Sequence, residues 1–351
     1  MNIARSVNAA TWIVVTLLLA FGADAGAFEG EPQLYEAAKK EKAFTWYTAH
    51  YNSESAAAIC NGFDKKYPGI TCNYIRTTAQ VAYQRLAQDQ KAGLALASVI
   101  SSTDIGHYGR MKQDGWLQPY RPKTLTELAD AFKPYNDPDG TYVVTSAGLV
   151  LITYNTSVVS TAAAPKKWTD LLDPKWKGKV SIGHPGFSGY VGTWVVLMRK
   201  LYGWDYFKKL ELNKPRIGRS INDTVNMLNA KESWVAAGPS ATTLESKAKG
   251  NPLALVYPED GTLLMIAPSG ILKNAPAPNA ARLFMEFLLS KDAGEIMVKQ
   301  HQDPVNKLVK LLPGAKTLAE IKTIRPTYEE ILKGVTEVKD CLLYTSPSPR
   351  D

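Results

Sequence analysis

Apolar positions follow two alternating rhythms along the chain. Short β-branched and aromatic runs at 44–48, 70–75 and 96–101 are separated by longer stretches, 53–67 and 78–92, in which apolar residues recur every third or fourth place. The first kind predicts strands and the second helices, and their alternation predicts a parallel sheet with helices packed on it. A further helix is expected from near Asp104 to Gly115, followed by an irregular passage at 116–120. After the turn residues Asn136-Asp137-Pro138-Asp139-Gly140, the run 142–154 is almost wholly apolar and carries Ser146-Ala147-Gly148 in its middle. It is too long for one ordinary strand and reads as a strand pair or as a crossing between two lobes.

Beyond that run the rhythm repeats. A short helix is predicted at 168–174, strands at 179–182, 233–237 and 253–257, a helix opened by the Gly-rich loop 184–190 and running to about 202, and helices at 222–229 and at 241–249. A second apolar passage, 261–268, mirrors the first, and Pro276-Ala277-Pro278-Asn279 leads into a helix at 280–290. The expected fold class is α/β: two α/β lobes joined by two crossover strands, with a ligand cleft between them. The expected boundaries are 28–145 plus 266–302 for the first lobe and 146–265 plus 303–340 for the second, with C-terminal helices packing back across it.

The two ends are read apart from the fold. Residues 1–27 hold one base, Arg5, then an apolar run at 9–21 that is short for the roughly 20 residues of a bilayer span. Small residues follow, so a secretory signal cleaved near Ala25 to Ala27 is expected, and with it export to the periplasm. Residues 341–351 change character abruptly and are set aside as a non-native or disordered tail. Cys60, on a predicted helix, and Cys72, on the strand after it, are then the cysteines left in an exported chain. A disulfide is expected between them, with two buried thiols as the alternative.

Composition narrows the partners. The chain is 45% hydrophobic, enough for a sizeable core, and its formal net charge is +8. The bases stand singly or in twos, so no basic arm and no nucleic-acid partner is expected.

Ligands of open parallel sheets bind outside the carboxyl ends of the strands. Five strand ends here run through small hydroxyl or amide residues into a helix: 48–53, 101–104, 186–190, 220–224 and 238–242. Free N–H groups at converging helix starts suit an anionic or hydroxyl-rich solute. The plainer alternative is that these residues are ordinary N-caps, each worth about 1 kcal/mol. The candidate contacts are Thr48, His50, Ser101 and Thr103 on the first lobe, and Ser188, Gly189, Tyr190 and Ser240 on the second. Catalytic patterns are weaker: 186–190 misses G-x-S-x-G by one place, and His50, His107, His184 and His301 have no metal-site spacing. No enzyme and no resident cofactor is expected, and a secreted hydrolase using Ser188 with His184 or His50 is the alternative of another class.

Several phrases carry a resemblance. They are the run from Tyr142 through Ile152-Thr-Tyr-Asn-Thr156, Trp168-Thr-Asp-Leu-Leu-Asp-Pro-Lys-Trp-Lys-Gly-Lys179, Tyr257-Pro-Glu-Asp-Gly-Thr262, and Leu272 to Ser290 around Ala275-Pro-Ala-Pro-Asn279. With the signal segment, they make 28–340 resemble the periplasmic solute-binding proteins of ABC importers, in the branch that includes the ferric-ion-binding proteins. The resemblance implies the type 2 periplasmic-binding fold, closure on a small solute, transient docking on a membrane permease and a monomer. Ferric members use two adjacent tyrosines in the stretch that corresponds to 234–243, which here is Trp-Val-Ala-Ala-Gly-Pro-Ser-Ala-Thr-Thr. Fe(III) requires hard anionic oxygen donors, so an organic or phosphorylated anion is the expected solute. Ferric iron remains the alternative, with His50, Tyr190 and Glu259 as its candidate ligands.

Overall fold

The computed structural model describes residues 28–345, so the signal segment expected over 1–27 lies outside the described residues. Its strands are β1 (Ala43–Thr48), β2 (Thr71–Arg76), β3 (Val99–Ser101), β4 (Leu117–Gln118), β5 (Val143–Asn155), β6 (Val180–Gly183), β7 (Arg216–Gly218), β8 (Val235–Pro239), β9 (Leu253–Val256), β10 (Thr262–Leu272) and β11 (Thr323–Ile324). They form one mixed sheet in the order β2-β1-β3-β10-β5-β8-β6-β7, with β4 and β11 on β10 and β9 on β5. β1 is parallel to β2 and β3 in one half, and β6 is parallel to β7 and β8 in the other.

The two halves are joined by β5 and β10, which run antiparallel to each other and to their outer neighbours. The apolar run after Gly140 is therefore one crossing strand of 13 residues, not a strand pair, and every residue of it is buried. Burial on both faces explains the unbroken apolar sequence. The β5–β10 ladder slips between Ala267 and Pro268, where proline has no N–H to give. This is the α/β architecture of two lobes and two crossovers.

Helices Ser53–Lys66, Ala79–Lys91 and Ile105–Gln113 flank the first parallel set, and Gly189–Tyr202 and Ser240–Ala248 flank the second. Some candidate polar residues are N-caps, as the plainer reading had it. Asn52 accepts from Ser55 N at 2.7 Å and Asp104 from Gly106 N at 2.9 Å. Helices Glu31–Lys39, Asp205–Leu212 and Lys291–Lys299 were not anticipated. The last helix, Tyr328–Thr345, runs through Cys341, so the change of character there is not a helix end. It meets one helix from each lobe at glycines: a Cβ on Gly109 would lie 2.9 Å from Leu332, and one on Gly192 2.8 Å from Val335.

Cys60 and Cys72 are joined as a disulfide, with Cα atoms 5.2 Å apart, tying helix Ser53–Lys66 to β2. Closing a loop of this size removes unfolded-state freedom worth about 3 kcal/mol. The Cys60→Ala, Cys72→Ala double variant is therefore expected to lose about that much stability in a urea titration. Reductant should lower the midpoint of the wild type and leave that of the variant unmoved.

Candidate functional site

The carboxyl ends of β1, β2 and β3 face the starts of helices Gly189–Tyr202 and Ser240–Ala248 across a pocket of about 30 Å³. That is room for a water molecule or two, so the space must open to admit a solute. The halves touch around it. A Cβ on Gly189 would lie 2.2 Å from Thr103 O, and Gln80 N donates to Phe187 O at 3.2 Å. Glu245 of helix Ser240–Ala248 accepts from Asn52 Nδ2 and from Ser55 Oγ across the same cleft, and Lys249 pairs with Glu54 beside it. Burial pushes the Glu245 carboxyl up, and the hydrogen bonds from Asn52 and Ser55 act against that shift. The cleft is closed.

Five of the eight candidate contacts line the pocket: His50, Thr103, Ser188, Tyr190 and Ser240. Thr48 and Ser101 do not. They are partners in the β1–β3 register and are buried in the sheet. Ser101 accepts from Trp46 Nε1 at 2.8 Å and shares a hydrogen bond with Ser269 Oγ. Gly189 sits at the inter-lobe contact rather than on the pocket wall.

His50 is held between the lobes, hydrogen-bonded through Nδ1 to Tyr190 Oη at 2.8 Å and through Nε2 to Ser146 Oγ on β5. Burial, with the nearby charge of Arg76, pushes its pKa down to about 3, so the imidazole is neutral. Burial also raises the Tyr190 phenol well above its ordinary range. Glu259, the third candidate iron ligand, lies on the surface against Lys167 at 3.7 Å and is not on the pocket wall. The three do not assemble. Ser188 Oγ accepts from Val191 N at 3.5 Å, His184 Nδ1 accepts from Gly186 N at 3.1 Å, and among the described residues no histidine is hydrogen-bonded to Ser188.

Arg76, the last residue of β2, lines the pocket and was missed. Its Nε donates to Tyr51 O at 2.9 Å, and among the described residues it makes no ion pair. Burial lowers its pKa, and the charge of Asp223 partly restores it. Among the described residues, none that lines the pocket is acidic. Opposite it, helix Ser240–Ala248 starts after Pro239 without a side-chain cap, and residues 239–242 all line the pocket. A partly buried guanidinium facing uncapped helix amides is an anion-binding arrangement. The sequence signal was available, because Arg76-Thr77-Thr78 also closes a strand and opens a helix, but a search for small hydroxyl residues passes over an arginine.

The family model of the bacterial extracellular solute-binding proteins matches residues 95–325. The chain belongs to that family. Binding proteins of this family capture small solutes and deliver them to the permease of an ABC transporter. This solute-binding protein is 25% identical over 260 residues to the putative 2-aminoethylphosphonate-binding periplasmic protein of Salmonella typhimurium, covering 71% of this chain and 70% of the relative. It is 26% identical over 273 residues to iron uptake protein A1 of Synechocystis, covering 73% and 74%. Its fold matches the periplasmic binding protein AfuA from Actinobacillus pleuropneumoniae, solved with fructose-6-phosphate, at a TM-score of 0.78 and 23% identity over 86% of this chain and 98% of the other. Among its described residues no helix is long and apolar enough to cross a membrane.

Proposed function

We propose that this solute-binding protein is a periplasmic receptor for a small organic anion with a phosphate or phosphonate head, closing on it and handing it to an ABC importer. The observation that carries this reading is Arg76: a pocket-lining guanidinium with no ion-pair partner among the described residues, in a wall without acidic side chains. The uncapped start of helix Ser240–Ala248 supports it, as do the names of the Salmonella relative and of AfuA. His50 and Tyr190 position the pocket wall, while Thr103, Ser188 and Ser240 offer it hydroxyls. The hinge is the β5–β10 pair, with 28–145 and 266–302 moving against 146–265 and 303–340. The receptor acts as a monomer, binds without turning its solute over, and has no nucleic-acid partner.

Ferric iron is the poorer cargo for this wall, whose phenol and imidazole are hydrogen-bonded to each other and which has no carboxylate among the described residues that line it. Native mass spectrometry of protein purified without refolding, followed by calorimetry with ethylphosphonate and with ferric citrate, tests the reading. Uptake of the phosphonate without iron is the expected result. Retained iron, or tight ferric binding with no response to the phosphonate, would overturn it.

A further inference from the structure

Two carboxylates take part in contacts across the cleft beside the pocket, and they differ in burial. Glu54 pairs at 2.5 Å with Lys249, at the end of helix Ser240–Ala248, but the two side chains are 61% and 54% exposed. An ion pair that open to water contributes little. Glu245, one turn earlier on the same helix, is buried in the closed cleft. Its Oε2 accepts from Asn52 Nδ2 and its Oε1 from Ser55 Oγ at 3.2 Å, both on the opposite lobe. Opening the cleft breaks both bonds and returns the carboxylate to water.

Both sides of this contact are tied to the pocket. Asn52 lines the pocket wall, and its Oδ1 caps helix Ser53–Lys66 by accepting from Ser55 N at 2.7 Å. One side chain thus lines the site, starts a helix and holds the other lobe. Across the cleft, Ser240, Ala241 and Thr242 line the pocket at the start of the nine-residue helix that carries Glu245. A short rigid helix moves as a unit, so this wall cannot draw back while Glu245 stays bound.

The bond between His50 and Tyr190 also crosses the cleft, but it joins two neutral groups. Hydrogen bonds to an ionised acceptor are about twice as strong as neutral ones. A carboxylate stripped of water also needs donors in place of the water it loses, so closure depends on Asn52 and Ser55 meeting it.

We propose that Glu245 is the latch of the closed cleft: a positioning residue off the pocket wall that acts through Asn52 and Ser55 and sets how long the solute is held. This rests on the closure part of the reading above and not on which solute is held.

Single-molecule energy transfer between dyes on the two lobes reads the lifetime of the closed state, with ethylphosphonate and with no solute. Truncating one side of a buried, charged hydrogen bond acts chiefly on release. Glu245→Ala is therefore expected to shorten the closed lifetime about ten- to a hundredfold while changing the closing rate less than about threefold. Glu245→Gln is expected to bring the lifetime back to within about fivefold of wild type, since its carbonyl can accept from Asn52 and its amide donate to Ser55 Oγ. Alanine is a strong helix former, so the melting temperature of solute-free Glu245→Ala should hold.

A wild-type lifetime in Glu245→Ala, a closing rate that falls along with it, or closures in Glu245→Gln as brief as those in Glu245→Ala would each overturn the latch and leave the anion reading standing. If ethylphosphonate does not lengthen the closures of the wild type, the anion reading falls and the solute-free lifetimes still decide the latch. A wild type that never leaves the open state, with or without the phosphonate, would remove both.

Discussion

Arg76→Met is expected to weaken phosphonate binding by two to three orders of magnitude and to leave the melting temperature of the free protein unchanged or slightly raised. Truncating one partner of a buried, hydrogen-bonded charge pair costs about 2–5 kcal/mol, roughly thirty- to several-thousandfold in affinity. The guanidinium is desolvated and unpaired among the described residues, so removing it relieves the free protein of a solvation cost and gives up the Nε bond to Tyr51 O. Arg76→Lys should fall between the two, because an ammonium restores the charge but not the planar fork. Calorimetry with ethylphosphonate, alongside a thermal melt, separates lost binding from lost folding. Wild-type affinity in Arg76→Met would remove the anion site from this part of the pocket.

Gly189→Ala is expected to abolish high-affinity binding by holding the lobes apart. Its Cβ would lie 2.2 Å from Thr103 O, 2.4 Å from Thr103 C and 2.6 Å from Asp104 N. All three are backbone atoms of the opposite lobe, so no rotamer change makes room. The helix itself accepts the change, since alanine is the better helix former by up to about 1 kcal/mol. The expected signature is a stable protein whose small-angle scattering profile stays that of the open form whether or not solute is added. A variant that contracts on adding ethylphosphonate, as the wild type should, would show that Gly189 does not limit closure.

Much of the fold was legible because burial writes itself into periodicity. The 13 buried residues of β5 left an apolar run too long for one ordinary strand, and the apolar passage 261–268, within the 11 buried residues of β10, mirrored it, which located the crossings. The site was less legible, for reasons visible at single residues. Thr48 and Trp46 lie on the same face of β1, and Trp46 is wholly buried, so the two-residue period of the strand already placed Thr48 in the core. Ser101 follows because it pairs with Thr48. Glu259 was chosen from a recognisable phrase, and nothing in a phrase tells which way a turn points. Arg76 carries no periodic signal, because a single cation at a strand end looks the same in solvent as in a cleft.

The Cys60–Cys72 bridge joins a helix and a strand that each end at the pocket. Asn52 caps the helix, Arg76 ends the strand, and both line the wall. Oxidation of that one pair fixes the spacing of two groups that meet the solute before any solute arrives, which lowers the ordering cost of binding. The redox history of the molecule is thus recorded in its grip: a copy folded without the oxidant should keep its shape and hold its cargo more loosely.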